Sequence, residues 1–286
     1  MIDYLLDPFQ YSFMQRALAE VLLLSIPAGV LGAWIVLRRL SFLTHAVGAA
    51  TFPGLVVGFG LGFSPWLGAF AVAAGFGGAQ SVLERRARLD PGAITGLLLA
   101  TSLAAGSLLV SNVFHSSGSV DGLLFGSLLG IGMPDIYRAI ALDVACLAMV
   151  LVVGRGLLAT SFAPATAGAL GYRRGVYDAI LLLLLGAAVV SCSAAIGGFV
   201  VSGLLVVPAA TARLVSRSLR QMQAVAALLA ALESTLGLAL AFQLDVPPGA
   251  AIAVLAASVY LVLVLAVPAW SRLVDRSSTL VPGELA

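Results

Sequence analysis

Nine stretches of the chain are dominated by apolar residues and carry few charges: 18–37, 46–63, 66–83, 92–111, 138–154, 176–195, 198–213, 222–242 and 249–269. At a rise of about 1.5 Å per residue, an apolar helix of roughly 20 residues crosses a hydrocarbon core. Several of these stretches are short, and Pro53 and Pro208 stand inside two of them. A weaker run at 122–133 is too short to span. It predicts a re-entrant or half helix, tolerated only where protein or water covers its open backbone. The pattern predicts an all-α fold, a polytopic transmembrane helical bundle of about nine spans with one half helix. One transmembrane domain over 1–286 is expected, with no appended soluble domain.

The few charges fall in a regular order. Arg38 and Arg39 follow the first run, and Arg85, Arg86 and Arg88 follow the third. Arg155, Arg173 and Arg174 bracket the loop after the fifth, Arg213, Arg217 and Arg220 follow the seventh, and Arg272 and Arg276 follow the ninth. Every second connection is therefore basic, and only Arg16 and Arg138 fall on the other side. Because positive residues are retained on the cytoplasmic side, the N-terminus is expected outside and the C-terminus in the cytoplasm. Asp3 and Asp7 stand where a cleavable signal peptide would carry basic residues, so none is expected.

Composition agrees and narrows the function. The 286 residues are 61% hydrophobic and 10% charged, with a mean hydropathy of +1.09. A soluble domain carries about 25% charged residues, so a soluble enzyme, a nucleic-acid binder and a disordered scaffold are excluded. The 31 glycines suit close helix packing in lipid. A net charge of +2 identifies no partner. All 15 basic residues are arginine, so a phosphate-binding loop with its lysine is impossible, and energised work would need another subunit. Cys146 and Cys192 lie in apolar runs and read as small buried hydrophobes.

Candidate chemistry sits at a handful of positions. In RGLLATSFAPATAGALGYRRG (155–175), Ser161 is placed to cap a helix over 163–170, Pro164 suits its first turn, and Gly171 suits its close. This is either a cytoplasmic docking element or an ordinary polar loop with a helical turn. In 196–212, Gly197, Gly198 and Gly203 make smooth faces, and Pro208 is expected to break the helix, lining a cavity or forming a packed kink. Gly54, Gly58 and Gly62 form a stripe for close approach of another helix. His45 shares a face with Ala49 and Pro53 and is either a metal ligand or proton acceptor, or an interfacial histidine. Glu20, Asp143 and Glu233 are ionisable residues inside spans, Glu233 the deepest and Asp143 near an end. His115 and Asp121 lie in the outer loop. No HExxH, CxxC or serine-protease arrangement accompanies them, so an intramembrane enzyme is not expected.

The segments RRLSFLTHAVGAATFPG (38–54), LLATSFAPATAGALG (157–171), IGGFVVSGLLVVPAATA (196–212) and DVPPGAAIAV (245–254) stand in order along the chain. With the weaker LFGSLL (124–129), they resemble the permease subunits of bacterial ABC importers for zinc, manganese or iron. The resemblance implies a fold like that of vitamin B12-type importers and a homodimeric permease in the bacterial plasma membrane. Each copy would dock one ABC ATPase through the 163–170 helix, with Ser161, Phe162, Pro164, Ala167, Leu170 and Gly171 as the coupling residues. An extracytoplasmic solute-binding protein, often a lipoprotein, would deliver the metal ion. ATP would bind the ATPase partner, with no cofactor on the permease, which would not itself be an enzyme. Pro53, Gly54, Gly203 and Pro208 would mark the pathway and its helix breaks.

Two departures stand out. Where the family commonly has an Asp and a His four residues apart before Pro-Gly, this chain has His45 and Ala49. One neutral imidazole is a poorer divalent-cation site than a carboxylate with a histidine. The metal would then use other ligands (His115, Asp121 or Glu233), pass a non-coordinating pathway, or travel as a chelate. In the docking loop, Ala163 and Ala165 replace acids common in the family, so the receiving ATPase groove should be less basic. The alternatives are a permease for a siderophore or haem chelate, which is usually longer, and a secondary transporter working alone, for which no internal repeat is found.

Overall fold

The computed structural model describes residues 7–86, 89–114, 131–197 and 201–278. Among them the secondary structure is helical throughout. A 3-10 turn, Asp7–Gln10, precedes α1 (Ser12–Leu37). Then come α2 (Ser41–Ala50), α3 (Phe52–Leu61), α4 (Pro65–Arg86) and α5 (Pro91–Leu108), which continues as a π-helical segment, Leu109–Phe114. After these follow α6 (Met133–Phe162), the single turn α7 (Pro164–Ala167), α8 (Arg174–Ile196), α9 (Val201–Val215), α10 (Leu219–Leu244) and α11 (Pro248–Ser278).

The apolar runs and the helices coincide in order. Among the described residues, seven segments are long and apolar enough to cross a membrane: Ser12–Leu37, Ser41–Leu61, Pro65–Glu84, Pro91–Ser111, Met133–Phe162, Leu219–Leu244 and Pro248–Ala266. Two shorter apolar helices, Gly175–Ser191 and Gly203–Val215, take the places of the remaining runs. The expected half helix at 122–133 lies outside the described residues except for its last three positions, where Met133 opens α6.

Local chemistry sets the helix ends. The Asp90 carboxylate accepts from the N–H groups of Gly92 at 2.8 Å and Ala93 at 3.3 Å, and Pro91 occupies the first turn of α5. Ser218 accepts from Gln221 N–H at 3.3 Å to open α10. Gly62 ends α3 in the left-handed region, at φ +73°.

In lipid, helices gain nothing from hiding apolar surface from one another, so close backbone approach and packing hold them together. α1 and α10 form the most extensive pair. A β-carbon on Gly29 would lie 2.4 Å from Ala227 N, and one on Gly32 would lie 2.1 Å from the Leu205 carbonyl oxygen on α9. The core fills around Met14, Leu24, Leu31, Trp34 and Ile35 of α1 with Leu157, Leu181, Leu185, Leu204 and Leu205. Leu151, Val152 and Leu265 lie on outer faces suited to lipid. The glycine stripe on α3 has two roles instead of one. Gly54 abuts the Gly68 carbonyl and Gly58 abuts Pro65, which seats α3 on α4. Gly62 meets nothing within 4 Å and serves the turn.

Candidate functional site

The first motif, 38–54, forms the passage from α1 into α2 and α3. Arg38 follows α1, and Arg39 takes the left-handed conformation at φ 59°, turning the chain into α2. His45 is half-buried on α2, whereas Ala49 and Pro53 are buried. The helix divides at Thr51, two residues before the proline. Pro53 has no N–H to offer the Ala49 carbonyl, and Thr51 Oγ donates instead to Gly48 O at 2.7 Å.

Pro208 behaves differently. The helix continues through it: α9 runs from Val201 to Val215 with Pro208 buried inside, the packed alternative of the two the sequence leaves open. Helices α1, α2, α10 and α11 pack against it. The interruption falls earlier, after Ile196, where Gly197 adopts φ +83°. Gly203 is half-buried within α9.

The acids inside the bundle are enclosed. Glu20 is fully buried, and Glu233 and Asp143 nearly so. Asp143, placed near a span end by the sequence, does not reach water in this arrangement. It is 5% exposed and accepts from Ser191 Oγ at 3.1 Å across α6 and α8. Both carboxylate oxygens of Glu20 and of Glu233 lack a hydrogen-bond partner. Cys146 is a buried free thiol whose Sγ lies 3.7 Å from the Leu184 carbonyl. Among the described residues, no three His, Cys, Asp or Glu side chains gather to hold a metal. His45 and Glu233 are therefore not joined in such a group, and His115 and Asp121 lie outside the described residues.

The coupling segment is shorter than the expected 163–170 helix. Pro164–Ala167 makes one α-turn, followed by turns to Gly171 at φ +82°. Ser161 does not cap it. α6 continues through Phe162, and the Ser161 hydroxyl donates to Leu157 O at 2.6 Å. Ala167 faces inward at 1% exposed, and its carbonyl accepts from Tyr172 N–H at 2.9 Å. Phe162 and Leu170 are the outward groups, at 63% and 67% exposed. Tyr172 packs edge-on against Tyr177 of α8 with centroids 5.6 Å apart, and Tyr177 lies against Gly156 of α6, where a β-carbon would meet the ring.

Arg38 knits this end together. Its Nε donates to Ser161 Oγ at 2.8 Å and its Nη2 to Thr160 Oγ1 at 2.7 Å and Leu157 O at 3.3 Å, while Nη1 pairs with Asp178. An open cavity of about 840 Å³ beside it is bordered by Leu37, Gln80, Glu84, Asp90 and Gly175. The sequence marks Arg38 as one of many loop arginines, and its partners, 119 to 140 residues away, leave no local signal. At the other end of the bundle, Arg138 pairs with Asp135 and sits 5.3 Å over the Trp66 ring.

Comparison with known proteins agrees over nearly the whole length. The ABC 3 transport family profile matches residues 10–267. The manganese import system permease protein ScaB of Streptococcus parasanguinis is 31% identical over 267 residues, covering 92% of this chain and 94% of the relative. The manganese transport system membrane protein MntC of Listeria monocytogenes is 29% identical over 261 residues, covering 91% and 92%. The structure of PsaBC from Streptococcus pneumoniae in complex with Fab superposes with a TM-score of 0.83 at 28% identity, over 92% of this chain and 95% of that one. With its helices in the order expected from the sequence and its motifs in place, the chain belongs to the ABC 3 transport family, as a membrane-spanning permease.

Proposed function

We propose that this chain carries a divalent transition-metal ion, manganese first among them, through the membrane for an ATP-driven importer. Two copies would form the pathway, each docking one ABC ATPase, with an extracytoplasmic binding protein delivering the ion. The arginine-rich end, with the C-terminus, would face the cytoplasm of a bacterial cell and the N-terminus the outside. The names of the relatives support the choice of ion.

The observation that carries the reading is the 157–171 segment. Phe162 and Leu170 are large apolar side chains exposed on a tight turn held between α6 and α8. Exposed apolar groups on a loop beyond the membrane-spanning rods call for a protein partner. His45 is the pathway's imidazole, a weak single contact that leaves selectivity to the binding protein.

The test is uptake of radioactive manganese(II) into proteoliposomes holding the permease with its ATPase and binding protein. Leu170→Asp is expected to lower both retained ATPase and uptake about tenfold, the cost of losing one anchor residue. His45→Ala is expected to slow uptake without releasing the ATPase. Uptake that needs no ATP overturns the reading, and unchanged uptake by His45→Ala removes His45 from the pathway.

A further inference from the structure

One side chain joins the two motifs that the proposed function keeps separate. The docking turn belongs to 157–171 and the pathway hinge to 38–54, and Arg38 contacts both. Its side chain is 10% exposed. It holds Thr160 and Ser161, which precede the turn, and Asp178, which follows it near the start of α8. Its own backbone ends α1, with its N–H donating to Trp34 O at 2.9 Å. Arg39 then sets the reversal into α2, the helix that bears His45 and ends at Thr51.

The chemistry suits a fixed linkage. A guanidinium is planar, stays charged and presents five donors in a rigid fork, so it can hold a carboxylate, two hydroxyls and a carbonyl at once. A lysine ammonium in its place would be a point charge on a flexible stem. Apolar packing also joins these parts, since α6 and α8 both pack on α1 and α8 packs on α2, but Arg38 adds the directional polar link from the turn's two flanks to the α1–α2 junction. An open cavity of about 840 Å³ borders it, leaving room for that junction to move.

We propose that Arg38 is the transmission residue of this permease, a positioning residue that ties displacement of the 164–171 turn to movement of the α1–α2 junction. The clamp rests on the reading of the chain as an ATP-driven permease. ATPase movement pulls the ends of α6 and α8, and the guanidinium carries that displacement to the base of α2. The ion is then released in step with ATP consumption.

The discriminating quantity is ATP consumed per manganese(II) ion moved, measured in proteoliposomes of the full complex. A residue that only supports folding lowers hydrolysis and uptake together and leaves the ratio unchanged. Arg38→Met is expected to raise the ratio about tenfold, and Arg38→Lys by a smaller factor, because charge-assisted bonds to several acceptors are lost at once. Thr160→Val combined with Ser161→Ala keeps the arginine and its ion pair, protecting the test against misfolding of Arg38→Met. It is expected to raise the ratio about threefold. An unchanged ratio in the double variant and in Arg38→Lys overturns the clamp. Absence of ATP-driven uptake by the unaltered complex overturns instead the functional reading beneath it.

Discussion

Pro53 and Pro208 occupy similar positions in sequence and different ones in mechanics. Each lies within an apolar run and each removes one backbone donor from a helix. At Pro53 the rod divides into α2 and α3, while at Pro208 α9 continues. The difference lies in what grips each helix. α9 is held along its length by α1, α2, α10 and α11, so both sides of Pro208 belong to one packing unit. α2 packs on α5, α8, α9 and α4, whereas α3 packs chiefly on α4 and then on α5, so the two sides of Pro53 share α4 and α5 and only the α2 side is also gripped extensively by α8 and α9. A proline supplies the opportunity to bend, and the neighbours decide whether it is taken.

The largest test of this contrast removes the grip on α9. Gly32→Leu would place side-chain atoms where the Leu205 carbonyl now lies, 2.1 Å from the position of a β-carbon. Overpacking at a backbone contact should cost about 3 kcal/mol, seen as a lowered Tm of the detergent-solubilised protein. An unchanged Tm would show that α9 is not held there.

A smaller effect is expected from the prolines themselves. Pro53→Ala returns an N–H to the Ala49 carbonyl and stiffens the junction by one hydrogen bond of about 1 kcal/mol. ATP-driven manganese(II) uptake should fall several-fold, by about fivefold for that energy. Pro208→Ala should leave uptake within about twofold, since α9 already continues through it. The opposite ranking would reverse the assignment of hinge and rod. An effect on stability of similar size to that of Pro53→Ala belongs to Thr51→Val, which deletes the hydroxyl bond to Gly48 O at 2.7 Å. A loss of about 1 kcal/mol is expected, read as a modest drop in Tm.

The bundle was legible because its signals are local. Each long apolar run produces a helix whatever its neighbours do, and caps such as Asp90 and the turn at Gly62 are encoded within a few residues. The errors arose where distant residues decide. Ser161 has the chemistry of a cap, but α6 runs past it and Arg38 takes its hydroxyl. Ala167 looks like a surface residue of a docking helix, and the shortened turn points it inward. Asp143 lies close to a span boundary by counting, whereas α6 starts at Met133 and Ser191 of α8 covers the carboxylate. Arg38 reads as a topology marker, since nothing near it in sequence names partners more than a hundred positions away.

The enclosure of α9 has a consequence for the surrounding membrane. Leu204, Leu205, Pro208, Ala209 and Ala212 are buried along it. The helices α1, α10 and α11 stand against it, so much of its length meets protein in place of lipid. Hydrophobic mismatch is felt where a helix meets the bilayer. The proline-bearing motif is thereby insulated from bilayer thickness, and membranes that differ by a few ångströms act on the perimeter more than on α9.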